Sequence, residues 1–173
     1  IVAANIMNAG AISDRLLNFC VALVGRFRGG LGHVNVVASL IFSGMSGSAV
    51  ADAAGIGKVI IEMMTKDGRY SRGYAAAITA ASATIGPIIP PSISMIIDAL
   101  QDEHVSVGGP PIAGFAPGLL IAVAMAIVNW RVCVKRDYRS REPRPSGREM
   151  LVNSVKAIPA LMLVVLILVG IRF

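Results

Sequence analysis

Two short stretches, Ser43-Gly-Met-Ser-Gly-Ser-Ala-Val-Ala-Asp52 and Ala83-Thr-Ile-Gly-Pro-Ile-Ile-Pro-Pro-Ser92, bring hydroxyls, glycine, proline and one carboxylate into apolar sequence. Oxygen ligands of this kind suit a hard monovalent cation. Loose backbone at membrane depth survives only if it is buried in protein or lines a cavity. Broken helices at mid-membrane are also how many ion-coupled carriers build their sites. Ser46, Gly47, Ser48 and Ala49 are therefore candidate sodium ligands through backbone or hydroxyl oxygens, with Thr84, Gly86 and Pro87 completing the cage. Ser43, Asp52, Pro90 and Ser92 are candidates for a substrate site or for orienting the tip. Asp52 could bind the ion, hold the tip, or simply favour the dipole of the helix it begins. The donors at the start of that helix could face an anionic substrate. Taken singly, each break also reads as a glycine-rich packing contact.

Other chemistries fit less well. Gly44-Met-Ser-Gly47 matches the GxSG pattern of intramembrane serine proteases, but the serine needs a histidine within hydrogen-bond reach. His33 lies 13 residues away along the same arm, and His104 belongs to an acidic turn. Gly57-Lys58 lacks the upstream glycine and following Ser/Thr of a phosphate loop. Cys20 and Cys133 show neither metal spacing nor a disulfide pattern and read as small buried hydrophobes. No transition-metal site and no cofactor beyond a coupling ion is expected.

The elements around these stretches read as membrane helices. The chain is 55% hydrophobic and 15% charged, a membrane composition. Its net charge of +6 is clustered, which argues for positive-inside loops and against nucleic-acid binding. Residues 1–30 comprise the tail of a membrane helix and an interfacial amphipathic helix around Leu16, Leu17, Phe19, Cys20 and Leu23. Residues 31–66 form two short arms. Gly32–Ser43 reaches roughly 18 Å and Ala49–Met64 roughly 24 Å, both short of the ~30 Å hydrocarbon core. Arg26 and Arg28 precede the first arm, and Lys66, Arg69 and Arg72 follow the second. Such arms describe a re-entrant hairpin with its tip at Met45 to Ser48; two full spans joined by a polar outer turn are the alternative.

Residues 73–104 read as a transmembrane helix broken at Gly86, Pro87, Pro90 and Pro91, because proline removes donors and restricts its neighbour. Asp98, Asp102 and Glu103 mark its far end. Residues 112–135 form a conventional span, 136–150 a basic cytoplasmic loop, and 151–173 an amphipathic start to another span. The fold class is thus an all-α membrane protein. Ile1 opens inside an apolar stretch without an initiator Met, so the chain reads as a piece of a longer protein.

Gly-Leu-Gly-His-Val-Asn-Val-Val-Ala-Ser (30–39), Ser-Gly-Ser-Ala-Val-Ala-Asp (46–52), Tyr-Ala-Ala-Ala-Ile-Thr-Ala-Ala-Ser (74–82) and Thr-Ile-Gly-Pro-Ile-Ile-Pro-Pro-Ser (84–92) together resemble the large membrane subunit (DctM-like) of tripartite ATP-independent periplasmic (TRAP) transporters. The resemblance implies half of an inverted-repeat, elevator-type carrier in the bacterial inner membrane. It implies sodium-driven import of organic anions such as C4-dicarboxylates, sialic acid or related acids. The implied partners are a periplasmic substrate-binding protein (DctP-like), a small membrane subunit (DctQ-like), the remaining repeat and the lipid bilayer. On this resemblance Ser46 to Ala49 form the inner tip, Thr84 to Pro91 face it, and together they hold one sodium ion. Glu62, Ser94, Asp98 and the Gly-Pro-Pro turn at 109–111 depart from the family pattern beside the site. A dicarboxylate/sodium symporter that uses no binding protein is the alternative carrier, and an intramembrane protease is the remote one.

Overall fold

The computed structural model describes residues 12–66, 68, 70–90, 92–99, 109–138 and 147–172. Every regular element among them is helical. Helix α1 spans Ile12–Val24 and α2 spans Gly30–Ser46. A continuous second arm then runs through α3 (Ala49–Asp52), a π-turn (Ala53–Gly57) and α4 (Lys58–Thr65). Helices α5 (Arg72–Ala83), α6 (Ile93–Ala99), α7 (Gly109–Lys135) and α8 (Gly147–Arg172) follow. The expected helix tail at 1–10, the acidic turn with Asp102, Glu103 and His104, Pro91, and loop positions 139–146 lie outside the described residues.

The helix ends follow from local chemistry. Gly29 precedes α2 at φ 72°, and Gly47 follows it at φ 58°. This is the left-handed conformation in which a side chain is costly. The Gly47 amide donates back to the Ser43 carbonyl at 3.0 Å, closing α2 as left-handed caps do. Ser48 is extended and its Oγ accepts from the Ala51 amide at 3.5 Å, opening the next arm. Ser71 caps α5 in the same way through the Tyr74 amide. The chain bends at Gly47-Ser48, and the helical arms on either side pack on each other. Along the second arm Asp52, Ile56, Ile60 and Met64 are all buried, while Lys58, Glu62 and Lys66 are exposed.

Helix α5 packs against both arms, and a buried polar ladder sets its register on α2. Asn35 Nδ2 donates to Thr79 Oγ1 at 2.6 Å, and Ser82 Oγ donates to Asn35 Oδ1 at 3.1 Å. Ser39 Oγ donates to Ser82 Oγ at 3.1 Å. Position 35 thus meets 79 and 82, and 39 meets 82, so α2 and α5 run parallel. Helix α7 runs the other way. Its Gly118 lies against the Ile89 side chain, whereas Asn129 lies against Gly32.

At that second end a polar knot ties three elements. Tyr74 Oη donates to Asn129 Oδ1 and lies 3.2 Å from Cys133 Sγ. Asn129 Nδ2 donates to the Gly29 carbonyl at 3.4 Å, and the Gly29 amide donates to the Tyr138 carbonyl at 3.1 Å. Tyr70, Tyr74 and Tyr138 cluster beside it, with centroids 4.8 to 5.9 Å apart. The knot gathers the start of α2, the start of α5 and the end of α7. It thereby brings Arg26, Arg28, Arg72, Arg131, Lys135 and Arg136 to one end of the molecule. Both cysteines are buried, as expected.

Gly114–Lys135 is long and apolar enough to cross a membrane, with 22% of its apolar window buried. Leu120, Val128, Leu151 and Leu166 are among many exposed large apolar side chains on α7 and α8. So much exposed apolar surface fits lipid or further protein, not water.

Two outcomes follow from this packing. Asn129→Leu in the complete protein leaves the Tyr74 hydroxyl only its weak Cys133 Sγ contact and strips the Gly29 carbonyl of its side-chain donor, while the Gly32 and His33 amides still reach that carbonyl; a loss of about 1–3 kcal/mol is expected, read as a lower thermal midpoint in detergent, with Tyr74→Phe costing less. Single cysteines placed by Arg28→Cys, Lys66→Cys and Lys135→Cys should all label from the same face of sealed vesicles. Labelling of Arg28→Cys and Lys66→Cys from opposite faces would rule out a hairpin that returns to its side of entry.

Candidate functional site

The two interrupted stretches meet. A Cβ added to Gly86 would lie 3.2 Å from the Ala49 amide nitrogen, the Ala83 carbonyl oxygen and Asp52 Oδ2 alike. One residue from the second stretch thus faces the first turn of the second hairpin arm so closely that a side chain there would press on its neighbours. On the tip itself Ser46 Oγ donates to Asp52 Oδ1 at 2.6 Å and accepts from the Ser48 amide at 3.4 Å. The Asp52 amide donates to the Ser48 carbonyl at 3.0 Å. Asp52 is 1% exposed, and its Oδ2 has no hydrogen-bond partner among the described residues. A π-turn starts immediately after it, a distortion common at functional sites.

The second stretch is tighter than a loose loop. The Thr84, Ile85 and Gly86 amides donate to the Ala81, Ser82 and Ala83 carbonyls at 3.0 to 3.2 Å. The helix therefore narrows into i→i−3 turns before the prolines. Ile85 and Ile89 are buried and anchor this turn. Ser92, fully buried, donates through Oγ to the Pro87 carbonyl at 2.5 Å and accepts from the Met95 amide at 3.3 Å, so it both closes the break and caps α6.

The candidate residues divide accordingly. Ser46, Gly47, Ser48, Ala49, Asp52 and Gly86 lie in one cluster. Ser43 is buried, with its Oγ turned back to the Leu40 carbonyl at 2.7 Å. Thr84 is exposed, and its Oγ1 likewise donates to the Ala81 carbonyl at 2.7 Å. The Pro87 carbonyl is engaged by Ser92, and Pro90 is buried behind the turn. His33 lies at the opposite end of α2, its ring 6.3 Å from that of Phe27, so it forms no dyad with Ser46. Reading the sequence for glycine and proline breaks passed over Asn35, Ser39, Thr79 and Ser82, which place the two stretches side by side. Their signal was present: polar residues at i,i+4 on one apolar helix and i,i+3 on the next.

Relatives extend this picture. Residues 1–173 match the family described as the DctM component of the tripartite ATP-independent periplasmic transporter. The chain is 41% identical over 171 residues to the sialic acid TRAP transporter large permease protein SiaM of Vibrio cholerae, covering 99% of this chain and 39% of that protein. It is 45% identical over 170 residues to the sialic acid TRAP transporter permease protein SiaT of Haemophilus influenzae, covering 98% of this chain and 27% of that protein. It is 37% identical over 171 residues to the C4-dicarboxylate TRAP transporter large permease protein DctM of Vibrio cholerae, covering 99% and 37%. The chain thus spans well under half the length of these relatives. With a match that runs its whole length and carries both interrupted stretches, the chain belongs to the DctM component family of TRAP transporters.

Proposed function

We propose that the chain is the cation-binding half of a sodium-coupled permease that imports an organic anion. The observation that carries this reading is the meeting of Gly86 with Ala49 and Asp52, which puts two helix interruptions and their oxygens side by side. Ser46, Gly47, Ser48 and Ala49 supply hydroxyl and carbonyl oxygens from one side, and the turn around Gly86 supplies carbonyls from the other. The hairpin is re-entrant, with its basic ends cytoplasmic and its tip inside the bilayer. A second repeat, outside this chain, closes the anion site and moves with it in an elevator-type cycle. Each sodium ion entering down a 100 mV potential contributes about 2.3 kcal/mol to accumulation.

The anion is a carboxylate of the kind named for the relatives, sialic acid or a C4-dicarboxylate. A periplasmic binding protein delivers it, and a small membrane subunit supports the permease in the bacterial inner membrane. A carrier working without a binding protein fits the family less well. The chain acts as a carrier rather than an enzyme, since Ser46 is bonded to a carboxylate instead of a histidine base.

The test is uptake by the complete permease with its partners in proteoliposomes. Gly86→Ala places a methyl where Asp52 Oδ2, the Ala49 amide and the Ala83 carbonyl converge, and Ser48→Ala removes a hydroxyl from the tip. Both should raise the half-saturating sodium concentration by roughly tenfold, as expected for losing about 1.4 kcal/mol of binding, without preventing insertion. Unchanged sodium dependence in both variants would place the cation elsewhere.

A further inference from the structure

Away from the candidate site, an open groove of about 700 Å³ runs between α5 and α7, a volume in the range that receives a drug-sized ligand. Ala77, Ile78 and Ala81 form one wall, and Leu120, Ala124 and Val128 form the other. Tyr74 and Asn129 also border it, but they are bonded to each other. The remaining polar lining lies at one end. Ser71 and Arg136 stand there, and both also reach the Tyr138 phenol. Arg72, Lys135 and Arg136 are all exposed at this end and outnumber the one acid beside them, Asp137.

We infer that this groove holds an anionic phospholipid, with one acyl chain between the two helices and its phosphate on Arg136. Depth supports the assignment. Trp130 is exposed on α7, where an amphipathic ring marks the level of the membrane interface. Along the helix Arg136 lies roughly 9 Å beyond Trp130, among the headgroups, and Leu120 lies roughly 15 Å the other way. The second distance is half of the ~30 Å hydrocarbon core. The groove therefore matches one leaflet, cationic at headgroup level and purely hydrocarbon down to the midplane. A packed helix suits the apolar walls equally well, but it has no need of a guanidinium and a hydroxyl at the mouth. A phosphate does, because a guanidinium takes it through two parallel hydrogen bonds. Basic side chains gathered at the membrane surface also draw anionic lipid toward them. The site is independent of any cation at the hairpin tip.

The test adds phosphatidylglycerol or phosphatidylcholine to the complete permease, stripped of lipid in a neutral detergent, and reads bound lipid by native mass spectrometry. Phosphatidylglycerol should bind about fivefold more tightly, the effect of one basic side chain near an anionic surface. Arg136→Gln should abolish that difference. A preference that survives Arg136→Gln, or no preference at all, overturns the inference. Phosphatidylglycerol carrying a diazirine in its tail should label α7 between Leu120 and Val128. The label should disappear in Ala124→Phe, which fills the groove. Label found only elsewhere would mean that a helix from the rest of the permease covers the groove, and label undiminished by Ala124→Phe would put the tail outside it; either result overturns the inference. Should Ala124→Phe fail to assemble, Ala77→Leu narrows the groove from α5 and decides in the same way.

Discussion

Asn35 donates to Thr79 and accepts from Ser82, and this pair of bonds fixes how far α5 sits along α2. Everything at the candidate site depends on that distance. Twelve residues on from Asn35 the first helix stops at Gly47, and a few residues on from Ser82 the parallel helix narrows toward Gly86. The second interruption therefore comes sooner along its helix than the first, and Gly86 meets the returning arm at Ala49 and Asp52 instead of the bend itself. Four buried polar groups that satisfy one another hold this alignment more specifically than apolar packing can, since a slip would leave them unpaired where no water reaches.

The opposite end is held by a different device. Asn129, a lone buried amide on α7, bridges Tyr74 and the carbonyl of Gly29. The close approach is possible because Gly29 and Gly32 present no side chains to it. Beside it Tyr70 stacks on Tyr74, and Tyr138 tilts against both. One end of the molecule is thus pinned by aromatic and amide contacts, while the other carries the tip, where Asp52 Oδ2 has no hydrogen-bond partner among the described residues.

Much of this was legible in the chain. The arms read at 32–43 and 49–64 lie within the observed 30–46 and 49–65, because glycine, proline and serine act on the backbone locally. The resemblance implied that the two interruptions face each other, and Gly86 lies against Ala49 and Asp52. What the residues alone did not reveal was the direction of individual side chains. Thr84 and Ser43 carry hydroxyls suited to a cation, yet both bond the carbonyl a turn behind them in their own helices, a competition that residue type cannot decide. Nor did local pattern indicate that Pro87 and Ser92 close the second break on each other, because that bond depends on how the turn is wound.

The widened turn at Ala53–Gly57 has a consequence for how this arm presents itself. Asp52, Ile56, Ile60 and Met64 recur at a stride of four, and in an unbroken α-helix a stride of four wanders by about 40° at each step. A single turn holding more than 3.6 residues takes up part of that drift, so the carboxylate and the three apolar side chains stay on one straight seam. The same irregularity that marks the arm as imperfect is what keeps its polar head aimed where its hydrophobic body is already bedded.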